Sequence, residues 1–225
     1  MRVLVLHAHP VPESFNAALY RTVVESLSAA GHEVDACDLY AEGFDACLSR
    51  EERAGYHELA SNTLPVAGYV ERLQAAEALV LCFPVWNFGY PAILKGFFDR
   101  VFLPGVSFRL VDGKVRPNLW NIRRLVAVTS YGGTRWRALL MGDPPRKAVC
   151  RVLRAVCHPA ARPLYLAHYD MNRATPESRA AFLADVAQKS AGFRRMLAMR
   201  HQAVIMASEL AAGETFCSPA SRTGS

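Results

Sequence analysis

Five short, nearly unbroken apolar runs punctuate the chain, at residues 3–6, 34–37, 78–83, 125–129 and 163–168. Each is too short for a buried helix and is bounded by turn-forming residues, so each reads as a strand. A strand apolar on both sides has both faces covered, which points to a parallel sheet. Helical spacing fills the gaps. Leu19, Val23, Leu27 and Ala30 recur every three or four residues over 17–30, and Gly31 follows as a left-handed stop. Further helices are expected over 66–76, over 91–102 with Pro91 in the first turn, and over 136–157 with a break at 142–145. The last is expected over 176–210, with Glu177 complementing its dipole and a break near Gly192. Strands alternating with helices and joined by right-handed crossovers make a doubly wound α/β domain with helices on both faces. One such domain is expected over 1–216, with a frayed tail over 217–225. Two segments leave the pattern. Residues 41–62 are charged and irregular and suit a loop with a short helix. Residues 103–118 contain Asp112-Gly113 between apolar stretches, a hairpin signal.

Composition excludes several function classes. Hydrophobic residues are 52% and charged residues 20% of the 225, enough apolar surface to offset the entropy of ordering. No apolar run approaches the roughly 20 residues of a membrane span. The start leads straight into the first strand without a secretory pattern, and the six cysteines are dispersed with no CxxC pair. A reduced, cytoplasmic setting is therefore expected. The formal charge of +6 concentrates at Arg135, Arg137, Arg146, Lys147, Arg151 and Arg154. That cluster is either a solvated helix face or an electropositive approach for an anionic substrate. No metal site is expected, since the histidines show neither HExxH nor a Cys/His cluster. GxSxG, GxGxxG and GxxxxGK[ST] are also absent.

In an open α/β sheet, ligands bind beyond the carboxyl ends of the strands. After the first strand, a proline-rich turn with His9 ends in Ser14, Phe15 and Asn16 at a helix start. The free N–H groups there suit an anion, although Ser14 or Asn16 could equally be a plain helix cap. After the third strand, Pro84, Val85, Trp86, Asn87 and Phe88 lie in a stiff aromatic stretch over 83–91. It suits a planar ligand, or else plugs the core. After the fourth strand, Ser130, Tyr131, Gly132 and Gly133 offer hydroxyls and close backbone approach.

Together these segments resemble the flavodoxin-like NAD(P)H:quinone oxidoreductases, which include the quinone reductases and the potassium-efflux ancillary reductases. The resemblance runs from Ala8-His9-Pro10 and Ser14-Phe15-Asn16-Ala17-Ala18 through Asp38-Leu39-Tyr40. It is strongest over 83–102 and closes at 129–133. It implies a flavodoxin-like five-stranded sheet of order 2-1-3-4-5 and a tightly bound FAD or FMN. His9, Ser14, Phe15 and Asn16 would then hold the flavin phosphate. Pro84, Val85, Trp86, Asn87 and Phe88 would flank the ring, and Ser130, Tyr131, Gly132 and Gly133 its pyrimidine edge. It also implies NAD(P)H as co-substrate, a quinone-like small-molecule acceptor, a ping-pong cycle through flavin N5, and a homodimer. Trp86 and Tyr131 are the candidate catalytic residues.

The stretch after the glycine pair departs from the animal quinone reductases, whose Tyr and His relay flavin charge. Here residues 134–146 contain neither, so that relay is not carried over; Arg135, Arg137 or Arg109 could take its place. Two other readings stand beside the enzyme. One is a flavin-binding regulatory subunit partnered with a membrane transporter, itself not inserted in the membrane. The other is a basic nucleic-acid module, which leaves the aromatic stretch unexplained.

Overall fold

The computed structural model describes residues 1–193. In chain order it contains β1 (Arg2–His7), α1 (Phe15–Ala29), β2 (Glu33–Asp38), α2 (Arg50–Ala54), α3 (Ala67–Ala75), β3 (Ala78–Val85) and α4 (Ala92–Val101). There follow β4 (Phe108–Val111), β5 (Lys114–Pro117), β6 (Arg124–Tyr131), α5 (Arg135–Leu140), α6 (Pro144–Lys147), α7 (Arg154–Val156), β7 (Arg162–His168) and α8 (Pro176–Ala191). Five strands form one parallel sheet in the order β2-β1-β3-β6-β7. With the hairpin set aside, this is the expected 2-1-3-4-5. The hairpin β4-β5 turns at Asp112-Gly113 and forms a two-stranded sheet of its own. The tail over 217–225, the domain limit at 216 and the helix beyond Gly192 fall outside the described residues.

The central strands explain the unbroken apolar runs. Leu4, Leu6, Leu79, Leu81 and Leu125 point to one face, against Leu73 of α3 and Leu94, Phe97 and Val101 of α4. Val3, Val5, Val80, Val126 and Val128 point to the other, against Leu19, Val23 and Leu27 of α1 and Val186 of α8. Alternate residues go to opposite faces, and both faces are dry. Helix α1 ends as expected. Gly31 takes φ +77°, its N–H donates to Ser28 O and that of His32 to Leu27 O, a Schellman stop.

Three expectations need correction. The run at 34–37 is not a strand buried on both faces: in β2 only Cys37 is buried, because the strand order puts β2 at an edge. Its Asp35 instead pairs with Arg72 at 2.7 Å, and charge on an edge strand discourages pairing with other chains. Pro91 caps α4 rather than sitting in its first turn. The helix over 136–157 breaks at Gly142-Asp143 as expected, but its second half passes through a π-helical stretch, Ala148–Leu153. The wider turn keeps Val149 and Leu153 in the core and rotates Val152 out to solvent, 67% exposed. The irregular stretch at 41–62 holds α2, started by a reciprocal capping box between Ser49 and Glu52. It is pinned to α4 by the buried Arg100, which donates to Glu52 Oε1 from Nε at 2.8 Å and from Nη2 at 2.7 Å. Gly96 permits that approach, since a Cβ there would collide with the Ala46 backbone.

Candidate functional site

Beyond the carboxyl ends of β1, β3 and β6 lies a cleft of about 310 Å³. The residue that most constrains its chemistry is Asn16, in the first turn of α1. It is 2% exposed, it faces the cleft, and among the described residues neither its side-chain oxygen nor its nitrogen has a partner. A buried, unmade amide costs about 1–3 kcal/mol, so such a group calls for a ligand. The first turn of α1 carries no acidic residue, and no residue lining the cleft is acidic. The positive end of the helix dipole opens on the cleft beside Asn16.

Ser14 satisfies both readings offered by the sequence. Its Oγ accepts from Ala17 N–H at 3.1 Å as the cap of α1, and its hydroxyl hydrogen is left to donate into the cleft that it lines. Phe15 lines the same wall and meets His168 edge-on at 5.5 Å. His9 accepts from Val11 N–H at Nδ1, 3.0 Å away, which leaves its proton on Nε2. Burial holds its pKa below the ordinary histidine value. Its ring meets Trp86 edge-on at 5.6 Å, so the first and third strand loops touch across the cleft.

Pro84, Val85 and Trp86 line the opposite wall, and Trp86 is 41% exposed. Trp86 and Gly89 exchange backbone hydrogen bonds around Asn87 and Phe88, which take φ +49° and +56°. Positive φ at both central residues is the geometry of a type I′ reversal. Asn tolerates it. Phe88 does so at a cost of about 1–2 kcal/mol, and strain of this kind gathers at functional sites. Asn87 and Phe88 form the tip of this turn and do not line the cleft.

The third segment divides. Ser130 and Gly132 line the cleft. Tyr131 does not: it is 2% exposed, and its hydroxyl bonds Asp143 Oδ1 and Tyr165 Oη, each at 2.7 Å. Burial first, then Tyr165 and Asp143, push its pKa well up, so the phenol stays protonated and engaged. The Tyr131 hydroxyl thus meets Asp143 and Tyr165 and not the cleft, unlike the placement expected of a candidate catalytic group. Gly133 also stands back from the cleft, where its carbonyl accepts from Asp170 N–H at 2.9 Å. That bond brings in two residues not foreseen from the sequence, Met171 and Asn172, which complete the wall. The signal was available, because the loop after β7 lies at the same edge as the others. Arg109, Arg135 and Arg137 do not line the cleft.

A slightly larger cavity of about 350 Å³ lies between α3 and Pro104-Gly105-Val106. It gathers none of the candidate residues, and its one charged group is Glu71. The smaller cleft is the better functional site because donors converge there on the N-terminus of α1. Among the described residues no group of three His, Cys, Asp or Glu could hold a metal ion, and no helix is long and apolar enough to cross a membrane.

A family model described as the flavodoxin-like fold matches residues 1–188. The chain belongs to this family. It is 37% identical over 125 residues to a ribosyldihydronicotinamide dehydrogenase-like protein of Penicillium crustosum, covering 49% of this chain and 47% of that one. It is 31% identical over 147 residues to NAD(P)H dehydrogenase (quinone) 1 of Rattus norvegicus, covering 58% and 54%. The matches thus span about half the length of these two relatives. The NAD(P)H:quinone oxidoreductase of Methanothermobacter marburgensis superposes with a TM-score of 0.73 at 25% identity, over 86% of this chain and 99% of that one.

Proposed function

We propose that this protein is a flavin-dependent oxidoreductase that passes two electrons from NAD(P)H to a quinone or a related flat acceptor. The observation that carries this reading is the unpartnered amide of Asn16, buried at the open N-terminus of α1 in a cleft free of carboxylates. That end fits a phosphate, with the Ser14 hydroxyl, the His9 Nε2–H and the first N–H groups of α1 as further donors. The other end fits a flat ring, with Trp86 as its wall and the backbone around Ser130 and Gly132 at its edge. FMN and FAD share this chemistry. A bound flavin supplies the hydride-accepting N5; the protein supplies orientation, exclusion of water and a fixed field. The names of the relatives in both comparisons support the same reaction class.

The test is an absorption spectrum of the purified protein with added FMN or FAD, followed by anaerobic NADPH and then a quinone. Flavin bands that bleach on NADPH and return on quinone are expected. A protein that takes up neither flavin removes the proposal.

The active form is proposed to be a homodimer. The exposed face of α5 and its following turn supports this, with Trp136 68%, Leu140 64% and Met141 57% exposed. Exposed apolar side chains gathered on one short helix suit an interface. Light scattering should read twice the 24.8 kDa chain mass, and Trp136→Asp with Leu140→Asp should halve it. A wild-type monomer excludes this assembly.

A further inference from the structure

Asp143 is a buried carboxylate at the corner between α5 and α6. It is 6% exposed, and it takes φ +46°, a left-handed conformation that Asp, like Asn, adopts more readily than most side chains, as Asp112 and Asp170 also do in this chain. A buried carboxylate is expensive unless it is tightly bonded. Had the position only to fill space, a residue without a buried charge would serve better. Its contacts point elsewhere.

Asp143 Oδ1 accepts the Tyr131 hydroxyl at 2.7 Å, which obliges Tyr165 to donate its own proton to Tyr131 Oη. The chain of protons runs one way, Tyr165 to Tyr131 to Asp143, and ends on the carboxylate. The Tyr131 ring also packs on Tyr169, with centroids 4.6 Å apart. Two residues beyond Asp143, Pro145 O accepts the Tyr90 hydroxyl at 3.1 Å. These bonds reach each wall on the far side of the cleft. Tyr131 immediately precedes Gly132. Tyr169 leads into the turn that carries Met171 and Asn172. Tyr90 ends the aromatic stretch that carries Trp86.

We infer that Asp143 is a positioning residue, the anchor of a buried Tyr165–Tyr131–Asp143 chain that sets the spacing of the walls gripping the flavin ring. The inference rests on the flavin reading of the cleft. Asp143 touches neither flavin nor substrate in this scheme. It acts through Tyr131 and through the α6 corner.

The experiment is FMN binding by fluorescence titration for the wild type, Asp143→Ala, Asp143→Asn and Tyr131→Phe, each held well below its own melting transition. Asp143→Ala and Tyr131→Phe should weaken FMN at least about tenfold, as loss of an outer-shell partner does where it orients ligands. Both should shift the visible band of bound FMN. Asp143→Asn keeps the accepting Oδ1 and should stay within about threefold of wild type, because geometry rather than charge is the operative property. If Asp143→Ala fails to fold, Tyr131→Phe, which keeps the ring, carries the test.

A purely structural network would lower the melting temperature and leave the affinity of the folded protein unchanged. An Asp143→Ala or Tyr131→Phe protein that binds FMN as the wild type does therefore overturns the inference, and so does Asp143→Asn losing as much as Asp143→Ala. A wild type that binds no flavin overturns the reading of the cleft and this inference with it. A wild type that binds while the variants bind equally well removes only this inference.

Discussion

An Asn16→Ala variant is expected to be more stable than the wild type in the absence of flavin and to bind flavin about ten- to hundredfold more weakly. The two effects have one cause. Among the described residues the Asn16 amide is buried with no partner for either polar atom. Leaving a polar group in that state costs about 1–3 kcal/mol, and truncation removes the cost along with a little packing. The net gain should be about 1 kcal/mol, or roughly 2–4 °C in melting temperature for a domain of this size. A hydrogen bond to a charged phosphate contributes about 1.5–3 kcal/mol, which is the affinity lost. Calorimetry of the flavin-free protein and a flavin titration read the two halves separately. A variant that melts lower and binds flavin normally would show that Asn16 serves the fold and not a ligand.

The second large effect is at Trp86. Trp86→Ala should leave the chain folded, because the side chain is 41% exposed and its one ring contact among the described residues is the edge of His9 at 5.6 Å. Stacking of a flat heterocycle on an aromatic side chain is worth about 1–3 kcal/mol. Flavin retention and kcat/KM for NADPH should therefore each fall by about five- to hundredfold. Trp86→Phe should recover most of the loss, since it restores a π face. Turnover at the wild-type rate with full flavin occupancy in Trp86→Ala would place the ring elsewhere in the cleft.

The two predictions differ in how far the sequence alone could support them. Trp86 stands out in the sequence, in a stretch too aromatic and too rich in proline to be an ordinary loop, and the carboxyl-end rule for parallel strands placed it at the site. Asn16 could be named but its state could not. As a helix-start residue it had two readings, and only its burial without a partner separates a cap from a ligand group. The cap proved to be Ser14, whose Oγ takes the Ala17 N–H. Tyr131 ran the other way. Its neighbours in the chain, Ser130 and Gly132, line the cleft, and its hydroxyl looked available for chemistry. Strand alternation turns it to the opposite face of the sheet, where Asp143 and Tyr165 occupy the hydroxyl.

The sequence by itself determined the periodicities and their consequences: five strands, the helices between them, the stop at Gly31, the hairpin at Asp112-Gly113 and the edge of the sheet where a ligand belongs. These follow from local physics, since burial on two faces, helical spacing and positive φ are all written in nearby residues. Tertiary structure decided which strands became edges, which of two adjacent side chains met the cleft, and which distant residues completed it. Met171 and Asn172 reach the site through one backbone bond between Asp170 and Gly133, and Asp143 finds Tyr131 twelve residues away across a broken helix. Such contacts depend on the placement of whole elements, which is settled by the packing of both faces of the sheet at once and leaves no trace in any single stretch of chain.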